Sequence, residues 1–246
     1  MIDTHCHILN HLDDGSQSTE QTLAMLQTAH EYGIKKIIAT PHCWPGIKYP
    51  NDRLSVQPAY EEALALIALH QLDIKLYYGC ELFATADTMA WVNSQRALTL
   101  NQTSVYLLEL PWSIHQDKSI HETTFISEML ALGHKVVIAH PERYTIVREQ
   151  LDILQTWRRL GCSFQVNRTS LLNPESWEYE TAWKIMEQGY ADIIATDAHH
   201  DTGKRIMRLD DIYDLIGKRY NADVAQLLMV DNPQRLIDGQ ELVHLK

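Results

Sequence analysis

The chain has 246 residues, 45% of them hydrophobic, and a net charge of −11. That length can close a large core as one domain. The acidic balance excludes the basic face needed for non-specific binding to nucleic acid or anionic membrane, and no apolar run approaches the ~20 residues of a membrane span.

Met1 leads straight into "MIDTHCH", an apolar-rich strand pattern with no basic leader, so no signal peptide is expected. Ser18 and Gln21 resemble a capping box that opens a helix to about residue 32. Gly33 ends that helix, and "IKKIIATPH" follows as a second strand. A helix over 57–71 precedes the strand "IKLYYGCE" (74–81), and "SVYLLEL" (104–110) makes the fourth. Glycine again marks helix ends at Gly133, Gly161 and Gly189, each before a β-branched run: "HKVVIAH", "CSFQVN" and "YADIIATDAH". The intervening helices fall at 120–132, 146–160 and 175–188, the last with Tyr179, Ala182, Trp183 and Met186 on one core-facing stripe. A helix at 207–219 follows, and "VAQLLMVDNPQRLI" reads as a helix, a turn at Asn232-Pro233 and a further helical turn. No linker or low-complexity tract divides the chain, so 1–246 is expected to be one α/β domain whose parallel sheet is open or closed into a barrel.

Histidine and carboxylate collect at the predicted strand ends. Successive side chains alternate across a strand, so His5 and His7 point the same way. His42, Glu81, Glu109, His140, Asp197 and His199 end other strands, and Asp13 and Asp14 lie in the loop after the first. Parallel α/β folds bring such ends to one face. Carboxylates crowded there raise one another's pKa unless cations compensate. A histidine–carboxylate set suits manganese, iron or zinc, and its size exceeds the four ligands of a single zinc. His30, His70, His121, His134 and His244 read as surface or packing residues, and His11, His115 and His200 as solvated loop residues. The cysteines Cys6, Cys43, Cys80 and Cys162 show no CxxC spacing, which suits free thiols in a reducing cytoplasm. Cys43 is a minor candidate for a soft ligand.

The ordered series "HCHILNHLDDG", "ATPH", "GCE", "LLEL", "VIAHPERY" and "TDAH" resembles the PHP (polymerase and histidinol phosphatase) superfamily. It is most similar to the superfamily's manganese-dependent protein tyrosine phosphatases of bacterial capsule and exopolysaccharide loci. The resemblance implies a distorted (β/α)7 TIM-like barrel and three divalent ions, manganese or else iron or zinc. His5, His7, Glu81 and Asp197 would hold one ion. Glu81 would bridge to a second held with Glu109 and His140, and Asp14, His42 and His199 would hold the third. Asp14 is preferred to Asp13 because it immediately precedes Gly15. Cys43 stands where the family commonly has a second histidine, and "DAHHDTGKRIM" departs from the usual run after the aspartate–histidine pair.

Metal ions lower the pKa of water from 15.7 to about 7, which predicts hydrolysis by a metal-bridging hydroxide. A cysteine-based phosphatase would need an arginine six residues after its cysteine; Cys6, Cys43 and Cys80 lack one, and Cys162 alone has it, in Arg168. Arg143 is the candidate grip on phosphate oxygens, with an ion pair to Glu142 or another carboxylate as the bland alternative, and Arg205 or Lys204 is the second candidate. His199 or His42 could assist proton transfer. Trp44 and Tyr49 could frame an aromatic substrate. The expected substrate is phosphotyrosine on a protein, the tail of a bacterial tyrosine kinase governing polysaccharide export. A small-molecule phosphatase such as one for histidinol phosphate, or a non-catalytic metal-binding accessory, are the competing readings.

Overall fold

The computed structural model describes residues 1–112 and 122–245. Its strands, in chain order, are β1 (Ile2–Cys6), β2 (Lys36–Ala39), β3 (His42–Cys43), β4 (Lys75–Tyr78), β5 (Glu81–Phe83), β6 (Val105–Glu109), β7 (Lys135–Ala139), β8 (Ser163–Asn167) and β9 (Ile193–Ala195). All pair in parallel, in two sheets of order β1-β2-β4 and β3-β5-β6-β7-β8-β9.

The expected second and third strands are each broken in two. Pro41 has no N–H for the ladder, so the chain leaves β2 and resumes as β3. The second break falls at Gly79-Cys80. Gly79 faces a close approach: a Cβ there would lie 2.8 Å from Leu100 Cδ2 and 3.0 Å from Thr99 O. These breaks divide what was expected to be one continuous sheet into two. Single hydrogen bonds bridge the division. Thr40 N–H donates to Cys6 O (2.8 Å), Gly79 N–H to Ala39 O (2.9 Å) and Glu81 N–H to Pro41 O (3.1 Å). At the far edge Asp197 N–H donates to His5 O and His7 N–H to Ala198 O, both at 2.8 Å, tying β1 to the chain just past β9.

Strand alternation sorts the core into two layers. Leu108, Ile138, Phe164, Val166 and Ile194 face the helices and join the larger apolar cluster. Val105, Leu107, Val137, Ala139, Ile193 and Ala195 face the other way and form a smaller cluster, closed off by Leu236 and Ile237. Further along the same strands this second face carries the polar residues described below. Cys6, Cys43, Cys80 and Cys162 are buried free thiols in the larger, helix-facing cluster.

The helices are α1 (Thr19–Glu31), α2 (Arg53–Leu69), α3 (Thr88–Asn93), α4 (Glu122–Ala131), α5 (Thr145–Glu149), α6 (Ile153–Leu160), α7 (Arg168–Leu172), α8 (Tyr179–Glu187), α9 (Asp210–Arg219), α10 (Ala222–Gln226) and α11 (Asn232–Ile237). Ser18 caps α1 by accepting from Gln21 N–H (3.2 Å), while the Gln21 side chain turns to Gln17 N–H instead of completing the box. Helix α2 starts four residues before the expected 57 because Asp52 and Ser55 form a reciprocal capping box there, with Pro58 inside the helix. The segment 146–160 is two helices rather than one, and α3 and α7 were not anticipated. No turn interrupts 222–237: the backbone stays helical and widens at Leu227–Asp231, just ahead of Pro233, which has no N–H to donate to the preceding turn. His115, His121 and the start of the expected helix at 120 lie outside the described residues. Among the described residues no helix is long and apolar enough to cross a membrane.

Candidate metal centre

His5 and His7 leave the end of β1 on the same side and are both fully buried. His42 opens β3 and is paired in register with Glu81, which opens β5. Glu109 ends β6. His140 and Asp197 follow β7 and β9, and both adopt left-handed backbone, with φ of 32° and 50°. Neither is glycine, so each conformation costs on the order of 1–3 kcal/mol and persists where surroundings impose it. The turn it makes aims each side chain back over the strand ends. Asp14, from the loop after β1, and His199 complete a set of nine side chains in four overlapping groups.

The spacing of the donor atoms is informative. His5 Nε2 and His7 Nε2 are 3.3 Å apart. They lie 3.2 and 3.3 Å from Glu81 Oε2 and each 3.5 Å from Asp197 Oδ1. Ligands at about 2.0–2.2 Å from a tetrahedral ion stand about 3.3–3.6 Å from one another. A second gap opens between Asp14 Oδ1 and the Nε2 atoms of His42 (3.4 Å) and His199 (3.5 Å). Around Glu81, His140 Nε2 donates to Oε1 at 2.7 Å, and His42 Nδ1 stands 2.9 Å from Oε2. Glu109 Oε2 lies 3.9 Å from His42 Nδ1, and Glu109 Oε1 is 4.0 Å from His140 Nε2. Glu109 groups with His42 and Glu81, and His140 with His5 and Glu81.

These residues fit divalent cations. Glu81 Oε2, Glu109 Oε2, Asp197 Oδ1, His42 Nδ1 and His140 Nδ1 are buried without a well-aligned hydrogen bond; Asp197 Oδ1 and Glu81 Oε2 have only the charge contacts of Arg205 and His42 beside them. Native proteins rarely leave such atoms unpaired. Electrostatics say the same. Burial and the Glu81 charge push Glu109 up to about 7. Burial drags His5 and His7 downward, yet the surrounding carboxylates outweigh it and the net shift of both is upward. Protons on these rings thus supply the positive charge that the acids require. Cations would replace those protons, so metal binding should release acid. His140 and His199 go the other way, lowered to about 4 by burial and by the cations Arg143 and His7 respectively, which leaves neutral imidazoles, the ligating form.

Two arginines border the acids. Arg143 Nη1 pairs with Asp197 Oδ2 (2.9 Å) and Arg205 Nη2 with Asp197 Oδ1 (2.8 Å). The expected alternative, an ion pair between Arg143 and a carboxylate, is thus present, with Asp197 as the partner rather than Glu142, whose Oε1 accepts from Asn167 N–H at 2.8 Å. Lys204 and Arg205 part ways. Lys204 is exposed and lines a separate depression with Arg168, whereas Arg205 lines the same cavity as Asp14, His42 and Glu109. That cavity measures about 210 Å³, and Trp44 and Trp112 stand at its walls. Tyr49 stacks on the His42 ring at 5.6 Å but faces the neighbouring depression with Lys48. His11 and His200 are exposed, as expected of loop residues.

Sequence reasoning passed over three residues. Asp13 is buried where Asp14 is exposed: Asp13 Oδ2 accepts from His7 Nδ1 (2.7 Å) and His42 N–H (2.8 Å), and Oδ1 from Gly15 N–H (2.8 Å). This is the carboxylate that orients a ligating histidine from behind. The adjacent acids in "DDG" were its only signal. Gln165 and Asn167, on β8, contact His5 and Asp197. Amides at strand positions carry no ligand signature, so nothing in the sequence marked them.

A parallel α/β fold with buried histidine–carboxylate groups at its strand ends defines a class: a protein built around a candidate divalent-metal centre. The chain belongs to the capsular polysaccharide synthesis CpsB/CapC family, whose model matches residues 1–238. It is 29% identical over 248 aligned positions to the tyrosine-protein phosphatase CpsB of Streptococcus pneumoniae, covering 98% of this chain and 99% of that protein. It is 26% identical over 243 positions to the tyrosine-protein phosphatase YwqE of Bacillus subtilis, covering 98% and 93%. Its fold matches a crystal structure from a study of YwqE from B. subtilis and CpsB from S. pneumoniae, described as metal-dependent tyrosine phosphatases, with a TM-score of 0.89 at 24% identity over 100% of this chain and 97% of the other. A histidinol phosphate phosphatase from Lactococcus lactis shares the fold more distantly, with a TM-score of 0.55 at 16% identity over 93% and 94% of the two chains.

Proposed function

We propose that this chain is a metal-dependent phosphatase that hydrolyses phosphotyrosine on protein. One observation carries the reading: in a CpsB/CapC family chain, seven of the nine candidate ligands and two arginines line a single cavity, and the other two, His5 and His7, stand against its Glu81 and Asp197. The relatives named above are tyrosine-protein phosphatases, which supports the substrate class. The reading takes 1–246 as one distorted (β/α)7 barrel, with the bridging hydrogen bonds between the two sheets as its seams. Three divalent ions, manganese by resemblance, would be held by His5, His7, Asp14, His42, Glu81, Glu109, His140, Asp197 and His199. Bound divalent ions supply Lewis acidity and a hydrolytic water of lowered pKa.

The chain's own side chains do the rest. Arg143 and Arg205 exchange part of their pairing with Asp197 for the phosphoryl oxygens, whose geometry the guanidinium fork matches. Trp44 and Trp112 flank the cavity and offer ring faces to an aryl group while displacing water. A phenolate leaves with a pKa near ~10, so it needs less protonation than an alkoxide. His42 or His199 would steer a proton only where its ring is not fully committed to the ion beside Asp14. The substrate would be the phosphorylated tail of a cytoplasmic tyrosine kinase that controls polysaccharide synthesis. A small-molecule phosphatase is the second reading, because the histidinol phosphate phosphatase shares the fold. Steady-state kinetics of manganese-loaded protein on a phosphotyrosine peptide and on histidinol phosphate separate the two. A higher kcat/KM on the peptide is expected. Preference for histidinol phosphate, or turnover indifferent to a chelator, overturns the proposal.

A further inference from the structure

Strand β8 contributes no ligand, yet its side chains Gln165 and Asn167 are fully buried and join two ligands that stand on other strands. His5 Nδ1 lies 2.8 Å from Gln165 Oε1. Gln165 Nε2 donates to Asn167 Oδ1 at 2.7 Å, and Asn167 Nδ2 donates to Asp197 Oδ2 at 2.8 Å. The direction of this chain is forced from one end. Asp197, paired with Arg143 and Arg205, is a carboxylate and can only accept. Asn167 must therefore turn its NH2 to Asp197 and its carbonyl to Gln165. Gln165 must then donate to Asn167 and present its own carbonyl to His5. His5 Nδ1 must carry a proton, so when an ion displaces the ring's other proton it is Nε2, facing His7, Glu81 and Asp197, that becomes the lone pair. Asn167 is itself pinned, since its backbone N–H donates to buried Glu142 Oε1.

We propose that Gln165 and Asn167 form an amide relay that dictates the His5 tautomer from Asp197, making them positioning residues for the metal centre. The inference rests on the metal reading above. If both amides only filled space, neither would need a fixed orientation. With the relay intact, His5 keeps its Nδ1 proton and gives up only the Nε2 proton to an arriving ion, while Asp197 is held as the carboxylate.

The test uses the relay's own logic. Asn167→Leu removes the constraint on Gln165, which can then flip and offer its NH2 to His5 Nδ1, favouring the tautomer that cannot ligate through Nε2. Affinity for zinc, measured by chelator competition, should fall about 10- to 100-fold, the usual effect of losing such a partner. Glutamate at 165 can only accept from His5, so adding Gln165→Glu to Asn167→Leu should restore most of the affinity and, by 15N NMR of the zinc-loaded protein, the Nδ1–H tautomer of His5. A double variant as weak as Asn167→Leu alone overturns the relay. Neutron diffraction of metal-free wild-type crystals covers the case in which the variants fail to fold. Gln165 Oε1 facing His5 with Nε2 facing Asn167 supports the relay, and the reverse orientation overturns it whether or not metal binds. The supported orientation in a protein that binds no divalent ion would sink the metal reading and leave the relay standing.

Discussion

Asp13→Asn isolates the support behind His7. The carboxylate accepts three hydrogen bonds, two on Oδ2 from His7 Nδ1 and His42 N–H and one on Oδ1 from Gly15 N–H. Burial alone would raise its pKa, but the His7 ring outweighs that and the net shift is downward, so the anion is the resident form. An asparagine has one acceptor oxygen. If that oxygen stays on the His7 side, the NH2 faces Gly15 N–H, donor against donor. If it flips, the NH2 faces His7 and His42 N–H, and His7 Nδ1 must become the acceptor, which moves its proton to Nε2 and removes a ligand. Either way one charge-assisted bond worth about 1.5–3 kcal/mol is lost. Part of that loss appears in the metal site, where a 10- to 100-fold weaker affinity equals about 1.4–2.7 kcal/mol. Competition titration with a chromophoric chelator reads the affinity, and aryl phosphate hydrolysis reads the function. Asp13→Asn protein with wild-type manganese affinity and turnover would refute the reasoning.

The neighbouring cations should part company: Arg205→Ala is expected to lower kcat/KM on aryl phosphate at least tenfold, a loss of about 1.4 kcal/mol of transition-state binding, while Lys204→Ala leaves it near wild type. Equal effects from both would place the anion grip elsewhere. Glu142 should make metal-free protein pH-sensitive. Burial raises its pKa from near 4.5 to about 7, so the folded state keeps a proton that the unfolded state has lost. Stability attributable to this group is therefore highest below pH 4.5 and declines up to about pH 7, by roughly 3 kcal/mol at most. Urea unfolding of wild type and Glu142→Gln in the presence of a chelator should show the variant gaining on wild type across that window, and a constant difference would contradict the assignment.

Much of the site could be read from the sequence because strand geometry is strict. Side chains two apart share a face, so "HCH" at the end of β1 points His5 and His7 to one side, whereas "DAH" lies past β9 and brings Asp197 and His199 together through the left-handed turn at Asp197. Glycine-terminated helices before β-branched runs located four of the strands with no tertiary information. What failed were distinctions between adjacent residues of like chemistry. "DD" does not tell which acid is buried, and "KR" does not tell which cation turns inward; burial decides both, and burial is a property of the folded loop. The strand breaks were hidden for a related reason. The Gly79 break is set by Leu100, distant in sequence, and the amides of β8 acquire meaning only beside His5 and Asp197.

The central claim is that the nine side chains share several divalent cations. Anomalous diffraction from crystals soaked in manganese measures this directly. The account predicts more than one peak, one of them bounded by His5, His7, Glu81 and Asp197 and another by Asp14, His42 and His199, at ligand distances of about 2.0–2.3 Å. A map with no peak among these residues, at manganese concentrations that saturate any activity, would contradict it.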